Sequence, residues 1–101
     1  LSFEVGRLMS YRVAWMQSRG LVPNYEASMA KTFGTELHQR MARVAYTTLG
    51  LRGQLLGGEW APFEGQIPMT VLQAVALTIA AGTSEINRNI IATRGLGLPR
   101  G

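Results

Sequence analysis

The run YEASMAKTFGTELHQRMARVAYTT, residues 25–48, decides the fold. Ala30, Phe33, Leu37, Met41, Val44 and Thr48 recur at spacings of three and four. That period places all six on one face of a helix. Asn24 stands just before the run as a capping residue, and Glu26 lies near the positive end of the helix. Gly34 sits inside it, where glycine costs up to about 1 kcal/mol against alanine. It either lets another helix approach closely or is simply tolerated.

Upstream, Glu4 to about Gln17 reads as a second helix. Val5, Leu8, Met9, Arg12, Val13 and Met16 follow helical spacing. Leu8, Tyr11 and Trp15 form another apolar stripe beside the first, so the arc is wide enough for burial on two sides. Arg19-Gly20 ends the helix, with glycine suited to a left-handed cap. Leu21-Val22-Pro23-Asn24 connects the two.

Downstream, Leu49 to Met69 reads as a loop rich in glycine and proline (Gly50, Gly53, Gly57, Gly58, Pro62, Gly65, Pro68). A loop near 20 residues is unusual in a compact domain and is often functional. Met69 to Ala80 is nearly all apolar and is expected to be a short buried helix, with Ala74, Ala76, Ala80 and Ala81 packed tightly. Thr83 or Ser84 then caps a last helix through about Thr93, with Ile86, Ile90 and Ile91 as its apolar face. Arg94-Gly95 closes it, and the tail from Gly95 to Gly101 is expected to be extended. The expected class is all-α, part of an up-down bundle of three to four helices with one long loop. It forms a single domain over 1–101.

Composition narrows the function. Apolar residues make up 47% of the 101, which fits a packed core and not disorder. With no cysteine and only His38, disulfides and thiolate or imidazole metal sites are excluded. The longest apolar run, Val71 to Ala81, is interrupted by Gln73 and Thr78 and falls short of the ~20 residues of a membrane span. No signal peptide is visible, so the expectation is a soluble, cytoplasmic protein without membrane insertion. Leu1 in place of methionine is expected to mark an excised or processed segment. The net charge is +4, but the basic residues are scattered and form no block, which argues against nucleic-acid binding.

The chemistry concentrates in Ala80-Ala81-Gly82-Thr83-Ser84-Glu85-Ile86-Asn87-Arg88-Asn89-Ile90-Ile91-Ala92. A glycine and two hydroxyl residues precede an amphipathic helix, whose start exposes backbone N–H groups and a partial positive charge. Such an end suits an anionic or oxygen-rich ligand, and glycine lets it come close. An ordinary helix cap accounts for the same residues.

The run Gly82-Thr83-Ser84-Glu85-Ile86 with Arg88, Ile90, Ile91 and Ala92 resembles the C-terminal signature of acyl-CoA dehydrogenases. Arg94-Gly95-Leu96-Gly97-Leu98-Pro99-Arg100 is similar to the tail of bacterial members, and Glu26-Ala27-Ser28-Met29-Ala30-Lys31 to the start of a later helix in their C-terminal bundle. The resemblance covers essentially the whole chain. It implies the C-terminal part of an enzyme whose N-terminal helical and β domains are absent from this chain. The implied reaction is FAD-dependent α,β-dehydrogenation of an acyl-CoA thioester. A carboxylate takes the α-proton, the flavin takes a hydride, and electron-transfer flavoprotein is the acceptor. The implied assembly is a dimer of dimers or a hetero-oligomer.

Carried over by position, Gly82 matches the glycine beside the reacting acyl group. Thr83, Ser84 and Glu85 match the segment that touches FAD. Thr47, Gly50 and Leu51 match a second FAD segment, which the family supplies from a neighbouring subunit. There Thr47 and Leu51 depart from the usual glutamine and glycine.

Ala81 occupies the position where many members carry the glutamate base. A methyl group accepts no proton, and loss of a general base typically costs about 10²–10⁴-fold in rate. No catalytic residue is therefore expected in this chain, and the chain alone is expected to be inactive. Three readings stay open: a base on an earlier helix outside this chain, a non-catalytic subunit paired with a catalytic one, and altered chemistry. A stand-alone helical interaction module is the alternative of another class.

Overall fold

The computed structural model describes residues 1–100, so the predicted tail position Gly101 lies outside the described residues. The described residues form four α-helices: α1 Ser2–Ser18, α2 Tyr25–Leu49, α3 Gln66–Leu77 and α4 Ser84–Ile90. Among the described residues there is no strand. The class is all-α, as the periodicity predicts. Among the described residues no helix is long and apolar enough to cross a membrane.

The chain divides into two compact units. The first comprises Leu1–Gly34 and Ala81–Gly101, the second Thr35–Ala80. Helix α2 begins in the first and continues through the second.

In the first unit, α1 ends as its sequence predicts. Gly20 takes φ +71, its N–H donates to Gln17 O at 3.0 Å, and the Leu21 N–H donates to Met16 O at 2.9 Å. This pair of bonds is a Schellman closure, and it satisfies carbonyls that the helix end would leave open. The two predicted stripes of α1 separate cleanly. Val5, Met9, Val13 and Met16 are half-buried, whereas Leu8, Tyr11 and Trp15 are exposed. Asn24 takes part in a longer link, its Oδ1 accepting from Arg94 Nη1 at 2.7 Å. The chain from Ile91 to Gly95 widens into a π turn, so the final helix changes from α to π at Ile91 where the sequence predicts one continuous helix to Thr93. Gly97, in the predicted extended tail, takes φ +69, and residues 97–100 form no regular element.

In the second unit, the long loop contains structure of its own. Two 3-10 turns, Gly50–Gln54 and Pro62–Gly65, flank its middle, and α3 starts at Gln66, three residues earlier than its apolar run predicts. Phe63, Glu64 and Gly65 all adopt left-handed backbone, with φ of 51, 55 and 77. Only the last of these is a glycine, and it must be: a Cβ on Gly65 would overlap the Leu56 carbonyl. Gly53 is similarly crowded, with Tyr46 O 3.0 Å from where its Cβ would stand.

The expected burial of α3 does not occur. Ala74 is 0% exposed, but Met69, Leu72, Val75 and Leu77 are exposed, as are Ala76 and Ala80. An apolar helix is expected to be internal; here most of its large apolar side chains are left uncovered. The same holds on α2, where Met41 and Val44 of the predicted face are exposed and Ala42 is buried. Among the described residues no side chain is both large and fully buried. Gly34 has open space where its Cβ would be.

Candidate functional site

The turn from Ala81 to Ile86 is built by three residues in sequence. Ala81 is left-handed at φ +55, a conformation that costs a residue with a Cβ roughly 1–2 kcal/mol. Gly82 follows at φ +93. Thr83 then swings to extended backbone, φ −65 and ψ 162, and becomes the N-cap of α4. Its Oγ1 accepts from the Ile86 N–H at 3.2 Å, one of the donors that a helix start leaves open. Thr83 is thus the cap that its residue type predicts, whereas Ser84, the alternative, is buried inside the first turn.

The Glu85 carboxylate is fully exposed, and its pKa is held below the ordinary 4.5. Hydrogen bonding to its own backbone N–H lowers it most, then the Thr83 hydroxyl, with the nearby Arg88 guanidinium adding a smaller pull against slight desolvation. The Thr83 hydroxyl therefore serves twice, donating to Glu85 and accepting from Ile86. At neutral pH the start of α4 presents an ionised carboxylate.

Two side chains from elsewhere in the first unit hold the turn, and sequence reasoning missed the role of both. Lys31 Nζ donates to Gly82 O at 2.5 Å. Asn87 Nδ2 donates to the same oxygen at 2.9 Å and to Thr83 O at 3.0 Å. Asn87 is only 6% exposed. A polar side chain so buried is stable only with its bonds made, and here both amide hydrogens are spent on the turn. A Cβ on Gly82 would stand 3.1 Å from Asn87 Nδ2, so a side chain there would press on that amide as well as strain the backbone at φ +93.

Of the residues predicted to contact a cofactor, the structure leaves Glu85 exposed and Thr83 half-exposed, and it buries Ser84 to 8%. Gly82 is half-buried under its two donors. In the second unit, Thr47, Gly50 and Leu51 are exposed around the end of α2, Gly50 at φ +58 with open space at its Cβ position. Nearby, the Arg52 guanidinium lies over the Trp60 ring at 5.0 Å, with Trp60 and Phe63 exposed.

A concavity in the first unit is lined by Met9, Arg12, Tyr25, Glu26 and Met29. Glu26 is buried there with Arg12 Nη2 at 3.8 Å, an ion pair that accounts for both charges. Among the described residues no three acidic or imidazole side chains are placed to hold a metal ion.

The profile of the acyl-CoA dehydrogenase C-terminal domain matches residues 1–96. The chain belongs to the acyl-CoA dehydrogenase family. It is 35% identical over 102 aligned positions to the acyl-CoA dehydrogenase FadE26 of Mycobacterium tuberculosis, covering 96% of this chain and 25% of that protein. It is 34% identical to (2S)-methylsuccinyl-CoA dehydrogenase of Cereibacter sphaeroides, covering 89% and 15%. Among solved structures it superposes on the Tcur3481-Tcur3483 steroid ACAD with a TM-score of 0.91 at 29% identity, covering 99% of this chain and 26% of that one. The ChsE4-ChsE5 complex of Mycobacterium tuberculosis gives 0.86 at 33%, covering 99% and 26%. The chain thus spans about a quarter or less of each of these relatives.

Proposed function

We propose that this chain is the C-terminal helical part of an FAD-dependent acyl-CoA dehydrogenase, where it supplies cofactor contacts and part of an oligomer interface. The observation that carries the reading is the turn from Ala81 to Ile86. Its residues resemble the family's flavin-contacting segment, and hydrogen bonds from Lys31 and Asn87 hold the turn.

The residues suit a flavin nucleotide in a specific way. Glu85 is exposed and ionised, so it accepts hydrogen bonds from ligand hydroxyls and repels phosphate oxygens. It therefore fits the ribityl or ribose part of FAD and not its pyrophosphate. Thr47, Gly50 and Leu51 leave their backbone approachable, as the second cofactor segment requires. A bound flavin would supply the hydride acceptor for the acyl β-carbon. Ala81 takes no proton, so this reading places the base on an earlier helix outside this chain.

The uncovered apolar side chains support packing against further protein. Leu8, Tyr11 and Trp15 of α1 form one such face in the first unit, and Met69, Leu72 and Val75 of α3 are uncovered in the second. Relatives several times as long offer the chain to cover them. A second reading makes the chain part of a non-catalytic subunit paired with a catalytic one. Ala81 favours it, as does the naming of two relatives as pairs, Tcur3481-Tcur3483 and the ChsE4-ChsE5 complex.

Expression of the full reading frame that contains this chain, alone and with neighbouring dehydrogenase subunits, tests both. Flavin bound in the purified protein and acyl-CoA-dependent bleaching support the first reading. Bleaching only after a second subunit is added selects the other. A folded protein that holds no flavin in either preparation refutes both.

A further inference from the structure

In the second cofactor segment and the turn that follows it, residues 47–54, the charged side chain is Arg52. Its backbone is pinned. The next residue, Gly53, is buried, with Tyr46 O 3.0 Å from where a Cβ would stand, and the Arg52 carbonyl accepts from the Leu55 N–H at 3.2 Å. Its head is placed as well. The guanidinium lies over the Trp60 ring at 5.0 Å, an attraction of roughly 0.5–1 kcal/mol at an exposed site. Such a contact covers one face of the guanidinium and leaves its N–H donors uncommitted, because all five lie in its plane. Among the described residues no carboxylate stands within ion-pairing distance of Arg52. Arg52 and Trp60 are both exposed, and the Cβ position of Gly50, two residues earlier, looks onto open space.

An arginine ordered at both backbone and head has already given up much of the freedom that binding an anion would cost it. A planar fork of donors suits phosphate oxygens, which it bonds in parallel pairs. The flavin reading leaves such an anion without a partner, since the Glu85 carboxylate repels the diphosphate of FAD. We propose that Arg52 is a phosphate-binding residue of the second cofactor segment, held ready by Trp60 to bond a diphosphate oxygen of FAD. The inference rests on the flavin reading above and names the residue that meets the cofactor's charge. Trp60 is a positioning residue, which acts through Arg52 and does not need to touch the cofactor.

The test uses the full-length protein, with its neighbouring dehydrogenase subunit where flavin binding requires one. FAD is titrated into the apoprotein at low and at high salt. Loss of a charge-assisted bond predicts about tenfold weaker FAD binding in Arg52→Met at low salt. The difference from wild type should shrink at high salt, because ions screen a contact between exposed charges. Arg52→Lys, which keeps the cation, should restore most of the affinity and the salt dependence. Trp60→Leu, which keeps Arg52 but frees its head, should weaken binding by about threefold and keep the salt dependence. Should Arg52→Met not fold, Arg52→Gln takes its place. A folded variant without the arginine whose affinity matches wild type at both salt concentrations overturns the proposal and leaves the flavin reading standing. So does a loss that is equal at both and is not restored by lysine, which would mark Arg52 as a structural residue of the loop. Wild-type protein that binds no FAD in either preparation overturns the flavin reading and the role of Arg52 with it.

Discussion

Two glycine-rich regions of this chain are fixed by opposite means. The turn at 81–86 is held by side chains: Lys31 and Asn87 on one carbonyl, Thr83 on the Ile86 N–H, and Glu85 on Thr83. The segment at 50–65 is held by backbone closeness, with Gly65 against the Leu56 carbonyl and Gly53 against Tyr46 O. Its apolar side chains, Leu51, Leu56, Trp60 and Phe63, stay exposed. The difference teaches where each region is vulnerable. Hydrogen-bonded turns fail in small steps as donors are removed. A turn made by backbone contact fails in one large step when a Cβ is added.

Gly65→Ala is the largest expected effect. It adds a Cβ at φ +77 into the Leu56 backbone. Left-handed strain and overpacking together predict a loss of about 3 kcal/mol. Denaturant unfolding of the full-length protein measures it. A loss below that of any single donor removal would break the comparison.

Thr83→Ala comes next. It removes the N-cap acceptor from the Ile86 N–H and should cost about 1 kcal/mol. Thermal unfolding of the same preparation checks it, and a neutral result would show that α4 does not depend on its cap.

Ala81→Gly should stabilise, by roughly 0.5 kcal/mol. Relief of left-handed strain at φ +55 is partly offset by the greater freedom of glycine in the unfolded chain. A destabilised variant would mean that the alanine methyl makes contacts worth more than its strain.

Glu85→Gln sharpens the comparison through pH. The folded carboxylate has a depressed pKa, so its contribution is fully present above the unfolded value. That contribution is lost as pH falls from about 4.5 through the lower folded value. Wild type and variant should therefore converge in stability at acid pH and differ, slightly, at neutral pH. Parallel stability curves across that window would remove Glu85 from the turn.

Much of the fold could be read locally. Gly20 closes α1 and Thr83 opens α4 because each feature depends on residues within one turn. The period of residues 25–48 located α2 to within a residue. Burial was less legible. Met69, Leu72, Val75 and Leu77 look internal by type, but the chain offers nothing to cover them. Likewise the left-handed run Phe63-Glu64-Gly65 carries only one glycine, so two of its three residues give no sign of their backbone. In the candidate site, the cap and the glycine were visible, but the donors were not. Lys31 reads as a surface lysine until the fold brings it to Gly82, and Asn87 reads as an ordinary helix residue until its burial is known.

The most direct measurement is the visible absorption of the purified full-length protein before and after anaerobic addition of a panel of acyl-CoA thioesters, alone and with its neighbouring dehydrogenase subunits. A bound flavin that bleaches with a thioester in one of these preparations is the predicted result. A folded protein of correct helical content that carries no flavin in any of them would contradict the account.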